Sequence, residues 1–143
     1  LGFGLTEDRD MVPPIVNPHG FKQEWLRARA GHGLHLHRHA DAQVLLVKSG
    51  TWEVTLNRGS ARMSVRLAPW DIFSVPPGAW RSLRCVEGAA GGDPGQLLLI
   101  TGGEGRTRID WDASVRQAAA EKGWAVDPNG YVAPTSVLAL AAA

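Results

Sequence analysis

Four of the five histidines in this 143-residue chain fall between positions 32 and 39, and three of them alternate: His35, His37 and His39. Alternate residues of a β-strand share a face. The spacing therefore predicts three imidazoles in a row, with Leu34, Leu36 and Arg38 on the opposite side. A row of imidazoles on the buried side of a sheet is costly unless something engages the ring nitrogens. Neutral imidazole is the commonest protein ligand for several divalent metals, and two of them two residues apart on a strand reach one ion. The structural alternative is a pair of core histidines bonded to backbone carbonyls.

The wider frame of these histidines is more specific. Gly31, His37, His39, Gln43 and Gly50 are separated by five, one, three and six residues. This spacing resembles the first signature of the cupin superfamily, with Gln43 at the position where the family usually carries Glu. A second signature follows in degraded form. Where the family has Gly, Pro, Gly, His and Asn, this chain has Trp70, Pro76, Gly78, Arg81 and Cys85, and Asp71 stands where cupins often carry an acid. The resemblance covers residues 21–101. It implies an all-β chain folded as a double-stranded β-helix, the jelly-roll barrel of a small single-barrel cupin. It further implies a divalent metal (Zn, Fe, Ni or Mn) held inside that barrel by His37, His39 and Gln43. Arg81 takes the place of the fourth ligand, and a guanidinium only donates hydrogen bonds, so it cannot ligate a cation. His35 is the nearest spare imidazole. It either completes the site through a bend or bulge of its strand, or stands behind the ligands or against a substrate.

Charge then bears on the ligand. Two neutral imidazoles and a neutral amide leave a divalent ion its full charge, and an inward Arg81 adds to it. Such a pocket favours an organic anion, a carboxylate, enolate or phenolate, which Arg81 can grip bidentately. It also repels the metal when no anion is present, so two states are expected: metal with anion, or no metal. Trp52 and Cys85 fall on the inward face and are read as walls of the substrate pocket. Cys85 is a small apolar filler there, since no base adjoins it. The resulting expectation is a small metal-dependent cupin acting on a small anionic organic molecule, with Arg81 and His35 as catalytic groups. The reaction is a dioxygenase step or a non-redox isomerase, lyase or cyclase step. The alternative class is a non-catalytic binding or sensing cupin with little or no metal, one barrel of a longer chain.

The elements that must position these residues are short. Residues 1–20, with Pro13, Pro14 and Pro18, read as an irregular arm laid over the domain or a partner subunit. From 21 to 104, segments of alternating character recur between turns: FKQEWLRARA, HGLHLHRH, QVLLVKSG, TWEVTLN, ARMSVRLA, DIFSV, AWRSLRCV and QLLLITG. Seven or eight such strands suggest a sandwich or closed barrel. Ser49-Gly50 reads as a tight hairpin, Asn57-Arg58-Gly59 as a turn, and residues 87–95 as a glycine-rich loop. That loop runs into a strand rather than a helix, so it is no phosphate cradle. In 105–143, Asp112 and Gly123 bracket one helix of about three turns by their capping chemistry. A turn and a short apolar tail follow, packing on the barrel or at a subunit contact.

Composition excludes other classes. Fifteen Lys and Arg against fourteen Asp and Glu leave a net charge of +1, too balanced for a nucleic-acid binder that relies on phosphate contacts. The six tryptophans are scattered, so they form no stacking platform. No apolar run reaches the length of a membrane helix. The single cysteine permits no internal disulfide and fits a reducing compartment, so a cytoplasmic location is expected. Apolar outward positions such as Val44 and Leu46 fit the homodimer that the cupin resemblance implies.

Overall fold

Each of the eight segments that alternates in the sequence forms a strand. The computed structural model describes residues 12–126 and 132–137. The strands are β1 (Phe21–Ala28), β2 (Gly33–Arg38), β3 (Gln43–Ser49), β4 (Thr51–Leu56), β5 (Met63–Leu67), β6 (Ile72–Val75), β7 (Arg81–Glu87) and β8 (Gly95–Gly102). After them come β9 (Asp110–Trp111), α1 (Ala113–Ala120), β10 (Trp124–Val126) and β11 (Val132–Pro134). One sheet has the order β1-β8-β3-β6 and the other β5-β4-β7-β2-β9, all pairs antiparallel. The chain alternates between the two sheets at nearly every connection, which winds the strands into the jelly roll expected from the sequence. Among the described residues no helix is long and apolar enough to cross a membrane.

One expected turn is different. Ser49-Gly50 does not close a hairpin: β3 and β4 lie in different sheets, and the chain switches sheets there. A two-residue link looks the same in sequence either way. Gly50 has φ +77°, and a Cβ built on it would lie 2.5 Å from the Glu87 carbonyl oxygen, so the crossing requires glycine. The hairpin within a sheet is β4–β5, turned by Asn57 at φ 61°.

Between the sheets the inward positions form layers. Leu45, Val47, Leu97 and Leu99 from one sheet meet Trp52, Val54, Leu83 and Cys85 from the other, all fully or nearly fully buried. Each such side chain contributes about 1.5–3 kcal/mol by leaving water. At one end of the barrel the layer turns polar. Across the first sheet Lys22, Thr101 and Gln43 stand in register beside Val75. Across the second, His37 and Arg81 stand in register with Leu56. All five of these polar side chains are buried.

Helix α1 starts as its sequence requires. The Asp112 carboxylate accepts hydrogen bonds from the Ser114 amide at 3.0 Å and its hydroxyl at 2.7 Å. The helix has eight residues, nearer two turns than three, and ends before Gly123 at φ 78°. Strands β10 and β11 then pair antiparallel. Of the arm, residues 12–20 are described: Pro13 is buried and Gly20 is tied to Gly103 and Glu104. Residues 1–11 and 138–143, with much of the arm and the apolar tail, lie outside the described residues.

Candidate functional site at the polar end of the barrel

Strand β2 carries His37 inward, and His39 follows just beyond the strand end; both are buried. Their rings are 6.1 Å apart and nearly parallel, at 27°. The Nδ1 of His37 lies 2.6 Å from the His35 carbonyl oxygen, so that nitrogen carries the proton. Its Nε2 is therefore a bare acceptor, and it is buried without a partner. For His39 the assignment is reversed. Arg81 Nη1 donates to His39 Nε2 at 3.0 Å, which fixes the proton on Nδ1, itself buried without a partner. Burial first, and the nearby Arg81 charge after it, hold both imidazoles neutral, with pKa values lowered from 6.5 to about 4.

Arg81 is fully buried. Its Nε donates to the Ala79 carbonyl at 3.1 Å, and its Nη2 donates to the Ala79 and Pro76 carbonyls at 3.0 and 3.2 Å. The Pro76-to-Gly78 turn thus wraps the guanidinium, and four of its five N–H groups are engaged. Burial lowers its pKa only to about 10, so it remains a cation at neutral pH. This geometry corrects the expected bidentate grip on a substrate: one N–H remains for any ligand. Gln43 completes the polar layer. Its Nε2 donates to the Thr101 hydroxyl at 3.0 Å, while its Oε1 is buried without a donor.

Three other expected site residues lie elsewhere. His35 does not share the face of His37 and His39. The β2–β7 register shifts between Leu34 and His37, and across that bulge the period of two fails, leaving the His35 ring exposed. Its backbone carbonyl, not its imidazole, faces the site. Trp52 and Cys85 do face inward, but they pair with one another four residues along their strands from Leu56 and Arg81, about 13 Å away. They are core: the Trp52 indole donates to the Ser49 carbonyl at 3.1 Å and the Cys85 thiol to the Glu87 carbonyl at 3.2 Å.

Sequence reasoning missed an ion pair at this end, between the buried Lys22 and the half-buried Asp41. Lys22 Nζ binds Asp41 Oδ2 at 3.2 Å and the Gly105 carbonyl at 2.9 Å, and it contacts the Thr107 hydroxyl, which itself donates to Asp41 at 3.0 Å. The signal was available, since Lys22 shares the phase of the inward Leu26 and Ala28. Trp111, read as one of several scattered tryptophans, packs its ring 5.4 Å from that of His37. Over the layer opens a cleft of about 480 Å³ lined by Arg38, His39, Ala40, Gly78, Arg108 and Asp110. Arg38 pairs with Asp110 at 2.9 Å.

A divalent ion does not fit these residues as they are arranged. The lone pair His39 would offer accepts from Arg81, whose fixed charge lies within hydrogen-bond distance of the would-be ligand. Gln43 brings no charge. Among the described residues no group of three or more His, Cys, Asp or Glu side chains is arranged to hold an ion.

Two packed antiparallel sheets wound as a jelly roll, with a histidine pair and a polar layer at one end, define a small double-stranded β-helix barrel. Comparison with solved structures bears this out. A cupin 2 domain-containing protein from Halorhodospira halophila is 26% identical with a TM-score of 0.56, over 70% of this chain and 64% of that one. A variant oxalate decarboxylase of Bacillus subtilis is 19% identical with a TM-score of 0.52, over 59% of this chain and 22% of that one. The DMSP lyase DddQ from Ruegeria pomeroyi is 18% identical with a TM-score of 0.53, over 64% of this chain and 43% of that one. Another structure of the Bacillus subtilis decarboxylase is described by its Mn(II) centres, so metal-containing proteins occur among the structures of this fold. The chain spans less than two thirds of the length of each of these three proteins. No family model matches the chain, and no curated protein matches it. By its fold the chain belongs to the cupin superfamily.

Proposed function

We propose that this cupin binds a small organic anion at the mouth of its barrel, and that the buried Arg81 guanidinium supplies internally the positive charge a metal ion would bring. The observation that carries this reading is the bond from Arg81 Nη1 to His39 Nε2. It engages a ligand lone pair and places a cation beside it. The mouth above adds two more guanidiniums, Arg38 and Arg108, against one carboxylate, Asp110. Arg108 has no ion pair among the described residues. A carboxylate or phenolate resting on the cleft floor beside His39 is attracted by all three arginines, and the desolvated Arg81 is screened least.

The test uses protein purified without a polyhistidine tag or chelating resin. Metal analysis is expected to give less than about a tenth of an equivalent, unrestored by Zn, Ni, Mn or Fe(II). Calorimetry with benzoate and succinate is expected to show binding that weakens at least about tenfold in Arg108→Ala. One observation favours a second reading, the metal-dependent cupin enzyme: two buried acceptors, His37 Nε2 and Gln43 Oε1, lack donors. That reading requires Arg81 to release His39. A stoichiometric ion in the purified protein would establish it and overturn the first.

A further inference from the structure

The outer face of the five-stranded sheet carries two adjoining cavities whose linings share no residue with the cleft at the barrel mouth. The first, about 490 Å³, has a lining shared almost evenly between polar and apolar surface. Its floor is a rung of outward residues, Thr55 and Ser82, in register across β4 and β7. Its rim is basic: Arg84 from β7, and Arg58 and Arg62 from around the β4–β5 turn. Arg58 is held by Asp112 at 3.0 Å and lies 4.0 Å from the centre of the Trp80 ring. Arg84 is steadied by Glu53, whose Oε1 lies 3.7 Å from its Nε, and its side chain stays exposed. Arg62 makes no ion pair among the described residues. The Asp112 carboxylate also lines this cavity, accepting from the Ser114 amide and hydroxyl and offset in charge by Arg58, so the surplus positive charge of the rim comes from Arg62 and Arg84.

The second cavity, about 480 Å³, is apolar. Trp111, Val115, Ala119, Trp124 and Val126 line it, between α1 and β10. The Trp111 indole N–H is buried there without a partner. The two cavities share His35 and Val115, which stand at their common border. A basic, hydroxyl-floored compartment opening into an apolar one matches a molecule with an anionic head and an apolar body. The head needs more acceptors than a carboxylate offers, because three guanidiniums, the Ser82 hydroxyl and Asn57 line the compartment, while the buried Thr55 hydroxyl is already bonded to Ser64 at 2.8 Å. A phosphate monoester has them.

We propose that these cavities form one site for an amphipathic phosphate monoester, its phosphate among Arg58, Arg62 and Arg84 and its apolar body against Trp111, Val115 and Trp124. The site is separate from the anion-binding mouth. The exposed His35 imidazole sits at the junction of head and body.

The probes are octyl phosphate below its micelle concentration, inorganic phosphate and 1-octanol, titrated calorimetrically into the full chain. Octyl phosphate is expected to bind at least about tenfold tighter than either fragment, to weaken with salt, and to alter tryptophan fluorescence. Arg62→Ala and Arg84→Ala, at exposed positions that leave the core intact, are each expected to cost about tenfold. Ala119→Trp, which fills the apolar cavity, is expected to remove the gain from the octyl chain while inorganic phosphate binds as before. Equal affinity for octanol and octyl phosphate would overturn the proposal, as would an Ala119→Trp variant that binds octyl phosphate normally. Competition by benzoate would place the probe at the barrel mouth and overturn it too. A dimer that dissociates in Arg62→Ala, with no octyl phosphate binding, would assign the groove to a second copy of the chain instead.

Discussion

Arg81 Nη1 stands 3.0 Å from His39 Nε2 and donates to it. This bond sets the His39 tautomer, fills the lone pair that would face a metal, and ties the start of β7 to the end of β2. The same guanidinium satisfies the carbonyls of Pro76 and Ala79. One side chain therefore links the turn before β7 to the histidine pair across the polar layer.

Arg81→Met should destabilise the fold by about 3 kcal/mol or more, because two carbonyls and one imidazole nitrogen lose a charged donor inside the barrel. Arg81→Lys should recover little of this, since an ammonium cannot reproduce the planar fork. Urea unfolding of the three proteins checks both statements. Equal midpoints would show that the guanidinium is not structural.

Stability should fall on acidification before most surface carboxylates protonate. His37 and His39 have folded pKa values of about 4 against an unfolded 6.5. Between these values the unfolded chain binds more protons than the folded one, so stability rises with pH through the window and is lost as pH drops from 6.5 toward 4. Each histidine accounts for about 3 kcal/mol or less across it. Unfolding free energies measured from pH 4 to 7 should show this slope, and His37→Gln should reduce it by about half. A flat profile would mean that the imidazoles are hydrated.

The barrel was legible because alternation and turn residues mark strands independently of tertiary context. What the strands pair with was less legible. The Ser49-Gly50 link reads alike as a hairpin or a sheet switch, and only the long-range pairing of β3 with β8 and of β4 with β7 decides. Alternation placed His37 inward correctly and His35 wrongly, because a bulge between them resets the phase. The inward phase of Trp52 and Cys85 was also right, but phase gives the face and not the depth along the barrel. The family position of Trp70, ordinarily glycine, shows the reverse case. The backbone keeps φ +75° there, so the sequence departs from the pattern while the conformation does not, at a cost of about 1–2 kcal/mol.

Gly50→Ala should cost well over about 1 kcal/mol, combining a positive φ with a Cβ only 2.5 Å from the Glu87 carbonyl. Gly91→Ala is the matched comparison. Gly91 has the same φ of +77° but nothing within 4 Å of its added Cβ. The difference between the two thermal midpoints isolates the close approach at the sheet switch from backbone strain alone. If the two variants melt together, contact with β7 is not what Gly50 serves.

The metal question can also be put constructively. If Arg81 and Gln43 are what exclude an ion, the double variant Gln43→Glu with Arg81→His should admit one. It removes the fixed cation, frees His39 Nε2, and presents three imidazoles and a carboxylate at the four positions where the sequence pattern expects ligands. The substitutions should couple strongly. Gln43→Glu alone adds a buried carboxylate while His39 Nε2 stays occupied by Arg81, and Arg81→His alone leaves the site without an anion; both changes are needed to free the ligands and to supply the negative charge. Purified without chelating resin and then supplied with Zn(II) or Mn(II), the double variant should hold about one equivalent and melt higher with metal than with EDTA. The parent protein should show no such difference. Metal-dependent stabilisation of the parent equal to that of the double variant would mean that the bond from Arg81 to His39 opens readily and does not guard the site.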